Sequence, residues 1–351
     1  MKQERRTRVL VVDDSAIVRK VLSDILSAQP DLEVVGTAPD PYVARDKILA
    51  LAPDVLTLDI EMPRMDGLTF LRRIMRFHPL PVIVISSLAQ NSTKSALEAL
   101  TEGAVDVLAK PGGPYSVGDL KEDLPRRVRA AARSRIAAKP APAAAARSPI
   151  SRSFDSPGGL RRMVIALGAS TGGTQAIERV LTALPAAMPP IVITQHIPPV
   201  FSAAFAERLN KVCALDVREA KGGETLNPGV AWIAPGDRHL LLEEAGTGWR
   251  IRLDGSAKVC YQRPSVDVMF KSVSAALGSA ALGVLMTGMG SDGAEGLLTM
   301  RRAGAETVAQ DEESCVVFGM PREAIRLGAA AQVLSLEAIA PMVLKKSRLT
   351  Q

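Results

Sequence analysis

Five residues whose side chains could do chemistry stand where apolar runs end in the first third of the chain. Asp13 and Asp14 follow V-L-V-V, Asp59 closes D-V-L-T-L, Ser86 closes V-I-V-I, and Lys110 follows V-D-V-L-A. If these runs are parallel strands of one sheet, their carboxyl ends share an edge and the three carboxylates converge there. Two like charges about 4 Å apart repel by about 4 kcal/mol at an effective dielectric near 20, so a cation belongs among them. Mg²⁺ fits, because it binds through a few carboxylates, keeps waters and leaves positions for phosphate oxygens. Lys110 adds a fixed positive charge and Ser86 a hydroxyl, and together they describe a pocket for a tetrahedral anion on Asp59. Singly, each has a plainer job, since an Asp after a strand caps a helix and a Lys before Pro lies in a turn. The ordered set of five points to chemistry.

A second group lies past the middle of the chain. M-V-I-A-L-G-A-S-T-G-G-T-Q-A-I runs from strand through a glycine turn into a helix, and Gly168, Ser170 and Gly172 satisfy G-x-S-x-G. Such a turn projects a nucleophilic hydroxyl beside backbone N–H groups that can hold an oxyanion. It serves equally well as a phosphate cradle, and the motif alone leaves the two readings even. A serine nucleophile needs a base, and the chain has three histidines. His78 falls in a pre-proline turn of the first half, and His239 suits a satisfied turn or core position. His196 ends P-I-V-I-T-Q-H, at the same kind of strand end as Ser170, and is the best placed. For the carboxylate that orients the imidazole, Asp292 lies in the glycine-rich turn of L-M-T-G-M-G-S-D-G-A, where its ordinary job would be to cap a helix. Asp311 and Glu312 are weaker candidates in a charge cluster, and Met289 offers a backbone N–H.

The elements that must position these residues follow from periodicity. Residues 8 to about 120 alternate strand-like runs (Arg8 to Asp13, Glu33 to Thr37, Asp54 to Asp59, Val82 to Ser86, Val105 to Ala109) with amphipathic stretches, as expected of a parallel α/β sheet. A second α/β set opens at Arg161, with strand runs in M-V-I-A-L-G, P-I-V-I-T-Q-H, G-V-A-W-I-A-P-G, I-R-L-D-G and L-G-V-L-M-T-G. The expected architecture is α/β with two doubly wound parallel-sheet domains, flavodoxin-like over 1–125 and Rossmann-like over 161–351. Between them, 126–160 is rich in Ala, Pro, Arg and Ser and reads as a linker.

At 351 residues, 47% hydrophobic and 23% charged, the chain supports two cores and is neither disordered nor coiled-coil. The net charge of +6 is local: residues 121 to 162 hold eleven Lys or Arg against three Asp or Glu. That segment carries no helix-turn-helix pattern, so a solvated linker is expected rather than nucleic-acid binding. Cys213, Cys260 and Cys315 lack zinc or disulfide spacing and are expected as reduced core thiols. No apolar run reaches the roughly 18 to 20 residues of a membrane span, and the start leads into a strand rather than a signal-peptide core. A cytoplasmic location is the expectation.

D-D-S, D-I-E-M-P-R-M-D-G, I-S-S and A-K-P resemble the signature of two-component response regulators. That resemblance implies Asp59 as phosphoacceptor, Mg²⁺ arranged by Asp13, Asp14, Asp59 and the main-chain carbonyl of Glu61, Ser86 as switch hydroxyl and Lys110 as the cation pairing with phosphate. Val107 stands where such domains often carry an aromatic switch. G-A-S-T-G-G, T-Q-H, R-P-S-V-D and L-M-T-G-M-G-S-D-G-A resemble the catalytic domain of CheB-type chemotaxis methylesterases. That resemblance implies a triad of Ser170, His196 and Asp292, with the main-chain N–H groups of Met289 and Thr171 as oxyanion donors and no cofactor in the catalytic domain. It further implies hydrolysis of glutamyl methyl esters on transmembrane chemoreceptors, glutamine deamidation, a chemotaxis histidine kinase as phosphoryl donor, and a receiver that covers the esterase edge until phosphorylated. The rival expectation is a non-enzymatic response regulator whose second domain binds a nucleotide or whose basic segment binds DNA.

Overall fold

The computed structural model describes residues 5–87, 89–110, 117–134, 163–246 and 248–349. The chain divides into two compact units, 1–143 and 144–351. Most of the expected linker, 135–160, lies outside the described residues.

In the first unit five parallel strands, β1 (Thr7–Val12), β2 (Leu32–Ala38), β3 (Val55–Asp59), β4 (Val82–Ser86) and β5 (Asp106–Ala109), are ordered β2-β1-β3-β4-β5. The central residues of β1, β3, β4 and β5 are buried and those of the edge strand β2 half-buried, as a parallel sheet covered by helices on both faces requires of its interior strands. The covering helices start where the sequence supplies N-caps. Ser15 accepts from Val18 N before α1 (Ala16–Ser27). Asp40 accepts from Tyr42 N and Val43 N before α2 (Pro41–Leu51), with proline at the first position. Asp66 accepts from Thr69 N before α3 (Gly67–Phe77). Helix α4 (Gln90–Thr101) follows β4. Helix α5 (Val117–Ala132) runs past residue 126, where the linker was expected to begin. The reason is pairing: Arg127 meets Asp106 at 2.6 Å and Arg129 meets Asp31 at 2.7 Å, so part of the basic run belongs to this unit.

The second unit holds a seven-stranded parallel sheet of β6 (Val164–Ala169), β7 (Ile191–Gln195), β8 (Asp216–Glu219), β9 (Val230–Ile233), β12 (Ala281–Leu285), β13 (Glu306–Gln310) and β14 (Gln332–Leu334). Its order is β14-β13-β12-β6-β7-β9-β8. The chain builds outward from β6 on one side, then returns to add β12 on the other, which makes the edge between β6 and β12 the topological switch point. I-R-L-D-G forms a strand outside this sheet: β10 (His239–Ala245) and β11 (Gly248–Asp254) pair as an antiparallel hairpin. Leu240, Leu242 and Ile251 of the hairpin join the same core as α8 (Val266–Leu277) and α9 (Ala294–Arg302). Helices α6 (Gly173–Thr182), α7 (Phe201–Val212), α10 (Met320–Arg326) and α11 (Leu336–Leu349) complete the unit. No described helix is long and apolar enough to cross a membrane. Of the three cysteines, Cys315 is buried and Cys213 half-buried, but Cys260 is exposed, against the expectation of core thiols. It sits in a left-handed backbone turn at the surface. Burial and Glu178 push the Cys213 thiol up to about 12.

Candidate active site

Register carries the acidic residues of the first unit together. Strand β1 lies beside β3, β3 beside β4 and β4 beside β5, so Asp13, Asp59, Ser86 and Lys110 emerge along one sheet edge. Carboxylate oxygens of Asp13, Asp14 and Asp59 all lie within 4.8 Å of one another. Lys110 Nζ stands 3.0 Å from Asp13 Oδ2 and 2.8 Å from Asp59 Oδ2. Those contacts are ion pairs, and beyond the ammonium neither buried oxygen has a donor among the described residues. Three carboxylates that converge this closely, with one ammonium against them, fit Mg²⁺. Burial raises Asp59 to about 6, and the neighbouring Asp13 charge adds to this while Lys110 opposes it. Burial likewise raises Asp13. The same two carboxylates hold the Lys110 ammonium above its ordinary value despite burial. Ser86 Oγ is buried and bonds the Ser92 carbonyl at 3.2 Å. The Glu61 side chain accepts from Ser87 at 3.1 Å and also from Ser92. Val107 is buried in β5.

In the second unit Ala169 pairs with Gln195 across β6 and β7, and His196 N donates to Ala169 O at 3.1 Å. Ser170 and His196 are therefore the next residues along adjacent strand ends. Ser170 N donates to Thr287 O at 2.9 Å, which ties the turn after β6 to the turn after β12. Gly172 closes the first turn at φ 78°, a left-handed conformation that favours glycine. Asp292 reaches the same edge from the turn before α9. His196 Nε2 lies 2.7 Å from Asp292 Oδ2, and both side chains are 2% exposed.

Asp292 does not cap its own helix, whose N-cap is Gly293 without a side-chain bond. It receives Ser265 Oγ at 2.7 Å and Asp267 N at 3.1 Å on Oδ1, and Val266 N at 2.7 Å on Oδ2. Burial pushes its carboxyl up, but the His196 contact and these donors outweigh burial and hold it below the ordinary range. A carboxylate held ionised accepts only, so the proton of neutral His196 sits on Nε2. Nδ1 is left bare, buried and without a hydrogen bond. In the usual Ser-His-Asp arrangement the carboxylate holds Nδ1 and Nε2 faces serine; here Asp292 holds Nε2 instead. The Ser170 hydroxyl makes no hydrogen bond to His196 among the described residues, a contact that in such sites tightens in the substrate complex.

The Met289 N–H makes no hydrogen bond among the described residues. It is held still by its neighbours, because Gly288 N donates to Val317 O and Gly288 O accepts from Gly319 N and Met320 N. Thr171 is buried in the turn beside Ser170, and its carbonyl accepts from Thr287 Oγ1 at 3.0 Å. Of the other candidates, His78 ends α3 in the first unit, and Asp311 accepts from Ser314 N and Oγ in a local turn. His239 is fully buried between Ala257 O and Ser265 N.

With this geometry in hand, comparison with known proteins is decisive. Residues 165–343 match the CheB methylesterase family and residues 9–119 the response regulator receiver domain. The chain belongs to the CheB methylesterase family. A relative from Anaeromyxobacter dehalogenans named protein-glutamate methylesterase/protein-glutamine glutaminase 4 is 55% identical, over 98% of this chain and 96% of the relative. A Salmonella choleraesuis protein-glutamate methylesterase/protein-glutamine glutaminase is 49% identical over 97% of each chain. The crystal structure of the Thermotoga maritima CheB methylesterase catalytic domain superposes with a TM-score of 0.51 and 38% identity, covering 52% of this chain and 97% of that one. The chain is thus a receiver domain followed by a CheB methylesterase domain, each with an α/β parallel sheet. Within this CheB methylesterase domain, sequence reasoning missed Ser265, Val266 and Asp267 as the anchors of Asp292. The S-V-D of R-P-S-V-D lies 27 to 25 residues before Asp292, and only the motif's match to the family hinted at a role.

Proposed function

We propose that this chain is a phosphorylation-regulated protein-glutamate methylesterase and protein-glutamine glutaminase that acts in the cytoplasm on transmembrane chemoreceptors. The observation that carries the reading is the buried His196–Asp292 pair, which leaves a bare imidazole nitrogen at the strand end beside Ser170. The names of its near relatives support the substrate class.

In this reading Ser170 Oγ attacks the side-chain carbonyl of a methylated glutamate and gives its proton to His196 Nδ1. The oxyanion settles on the Met289 N–H, joined by that of Thr171. Collapse returns the proton from Nδ1 to the leaving oxygen, methanol departs, and an acyl-enzyme ester remains. Water then attacks, again deprotonated by Nδ1, and releases the glutamate carboxylate and Ser170. A glutamine follows the same course with ammonia as leaving group. The base contributes roughly 10²- to 10⁴-fold and one oxyanion donor roughly 10²- to 10³-fold. In the receiver, Asp59 accepts the phosphoryl group from a histidine kinase, Lys110 pairs with its oxygens, and Ser86 turns from the Ser92 carbonyl to donate to it. Asp13, Asp14, Asp59 and the Glu61 carbonyl would hold Mg²⁺, whose charge offsets that of the carboxylates and the anion.

Methanol release from methylated receptor tests the proposal. Ser170→Ala is expected to abolish it, and an undiminished rate would sink the esterase reading. Asp59→Asn is expected to keep the basal rate and lose the response to a phosphoryl donor.

A further inference from the structure

The donors on Asp292 come from one place. Ser265 Oγ, Val266 N and Asp267 N all belong to the start of α8, whose N-cap is Ser265. Three donors from a helix N-terminus meet a carboxylate where the helix dipole also favours negative charge. The clasp is reciprocal, since Asp267 Oδ1 accepts from Gly296 N at 2.6 Å in the first turn of α9, the helix that follows Asp292. Phe270, fully buried, packs α8 onto this core.

Ser265 is itself held from behind. Its N–H donates to His239 Nδ1 at 3.1 Å, and His239 Nε2 lies 3.1 Å from Ala257 O. A carbonyl can only accept, so Nε2 carries the proton and Nδ1 is the acceptor. Both ring nitrogens are used, and a second ring proton would face the Ser265 N–H donor to donor. The result is a continuous chain: Ala257 carbonyl, His239, Ser265, Asp292, His196.

We infer that Ser265, seated on His239, is a positioning residue for the reaction: it aims the Asp292 carboxylate so that His196 presents Nδ1 to Ser170. The inference rests on the esterase reading above. Of the two oxygens, Oδ1 is held, among the described residues, by Ser265 and the Asp267 N–H alone. Without the hydroxyl, Oδ1 keeps one donor and the carboxylate can swing about its bond. Among the described residues the other titratable groups around Asp292 are His196, Asp267 and Cys260, the latter two offering atoms within 4.8 Å of its carboxylate oxygens, with the Lys271 charge acting on both of these.

The test uses the full-length chain with methylated receptor as substrate. Ser265→Ala is expected to lower kcat about ten- to a hundredfold, the scale of a hydrogen bond to a charged group, with KM within about twofold. The acid limb of its pH profile moves to higher pH, because a carboxylate that has lost a donor is less strongly held ionised. A plain capping role would lower the melting midpoint and leave both readings in place. His239→Leu is expected to follow Ser265→Ala, and His239→Asn, which keeps an acceptor near the Nδ1 position, to recover most of the turnover. Ser265→Ala turning over within twofold of the parent with an unmoved acid limb overturns the inference, whether or not His239→Leu folds. Ser170→Ala run alongside separates the two failures: if it retains activity the esterase reading fails, and if it is dead only the positioning role does.

Discussion

Replacing Asp292 by asparagine tests the inverted histidine arrangement directly, because an amide has one acceptor oxygen where the carboxylate has two. If the amide NH₂ took the Oδ2 position it would face the Val266 N–H at 2.7 Å and His196 Nε2 at 2.7 Å. His196 would then have to move its proton to Nδ1 and lose its basic nitrogen. If the NH₂ took the Oδ1 position it would face the Ser265 hydroxyl, which can rotate to accept, and the Asp267 N–H at 3.1 Å, the longest of the contacts. The second placement costs one strained contact rather than two and keeps Oδ2 on His196. The tautomer therefore survives, and what is lost is the negative charge that stabilises the imidazolium. For charge centres roughly 4 Å apart at an effective dielectric near 20 that charge is worth about 4 kcal/mol, or about a thousandfold in rate. Where the amide traps the wrong tautomer the cost is about 10⁴-fold. Methanol release by Asp292→Asn is thus expected about a thousandfold below the parent, with the melting midpoint lowered by the one unsatisfied N–H of Asp267, about 1–3 kcal/mol. A rate within tenfold of the parent would refute the argument, since the buried carboxylate could not then be orienting the base.

Gly288→Ala would place a Cβ 2.6 Å from Ser170 Cβ and 2.3 Å from Met320 Sδ. Ser170 must shift, and methanol release should fall at least about a hundredfold with a stability loss of about 1–3 kcal/mol; parental kinetics would show that the turn absorbs the clash. Val200 is a β-branched residue at φ 74° and 43% exposed, between His196 and α7. Val200→Gly should raise the denaturation midpoint, by about 0.5–1 kcal/mol after the extra chain entropy of glycine is subtracted; a fall would mean that the valine's contacts outweigh its backbone strain. Asp59 keeps its proton to about pH 6 in the folded chain, whereas an unfolded Asp loses it near 4, so ionising it lowers stability as pH rises through that window. Mg²⁺ should reverse this, raising the melting midpoint more at pH 7.5 than at pH 5, and equal gains at the two values would count against a metal site on Asp59.

Strand ends were the most legible part of the sequence. Four of the five strand runs of the receiver lead directly to the residue that the sheet then presents at its edge: Asp13, Asp59, Ser86 and Lys110 need only the parallel arrangement to meet. Ser170 and His196 were legible for the same reason, as both directly follow strands whose register is in step. Burial of a parallel sheet on both faces makes such runs continuous and easy to see. The hairpin β10–β11 was harder, because I-R-L-D-G reads as one more strand and nothing local says that it pairs antiparallel outside the main sheet. The end of the receiver was also misplaced, since Arg127 and Arg129 look like linker charge until Asp106 and Asp31 are found beside them.

By itself the sequence determined the residue types, their order and the strand ends they occupy, because period and turn chemistry are written locally. Only the tertiary structure decided which nitrogen of His196 faces Asp292 and what holds that carboxylate. Both depend on donors from Ser265, Val266 and Asp267, which pattern alone cannot join to a carboxylate 25 to 27 positions away. His239 makes the same point: in the chain it is one of three histidines, and only the packing of β10 against the start of α8 shows which side of it is an acceptor.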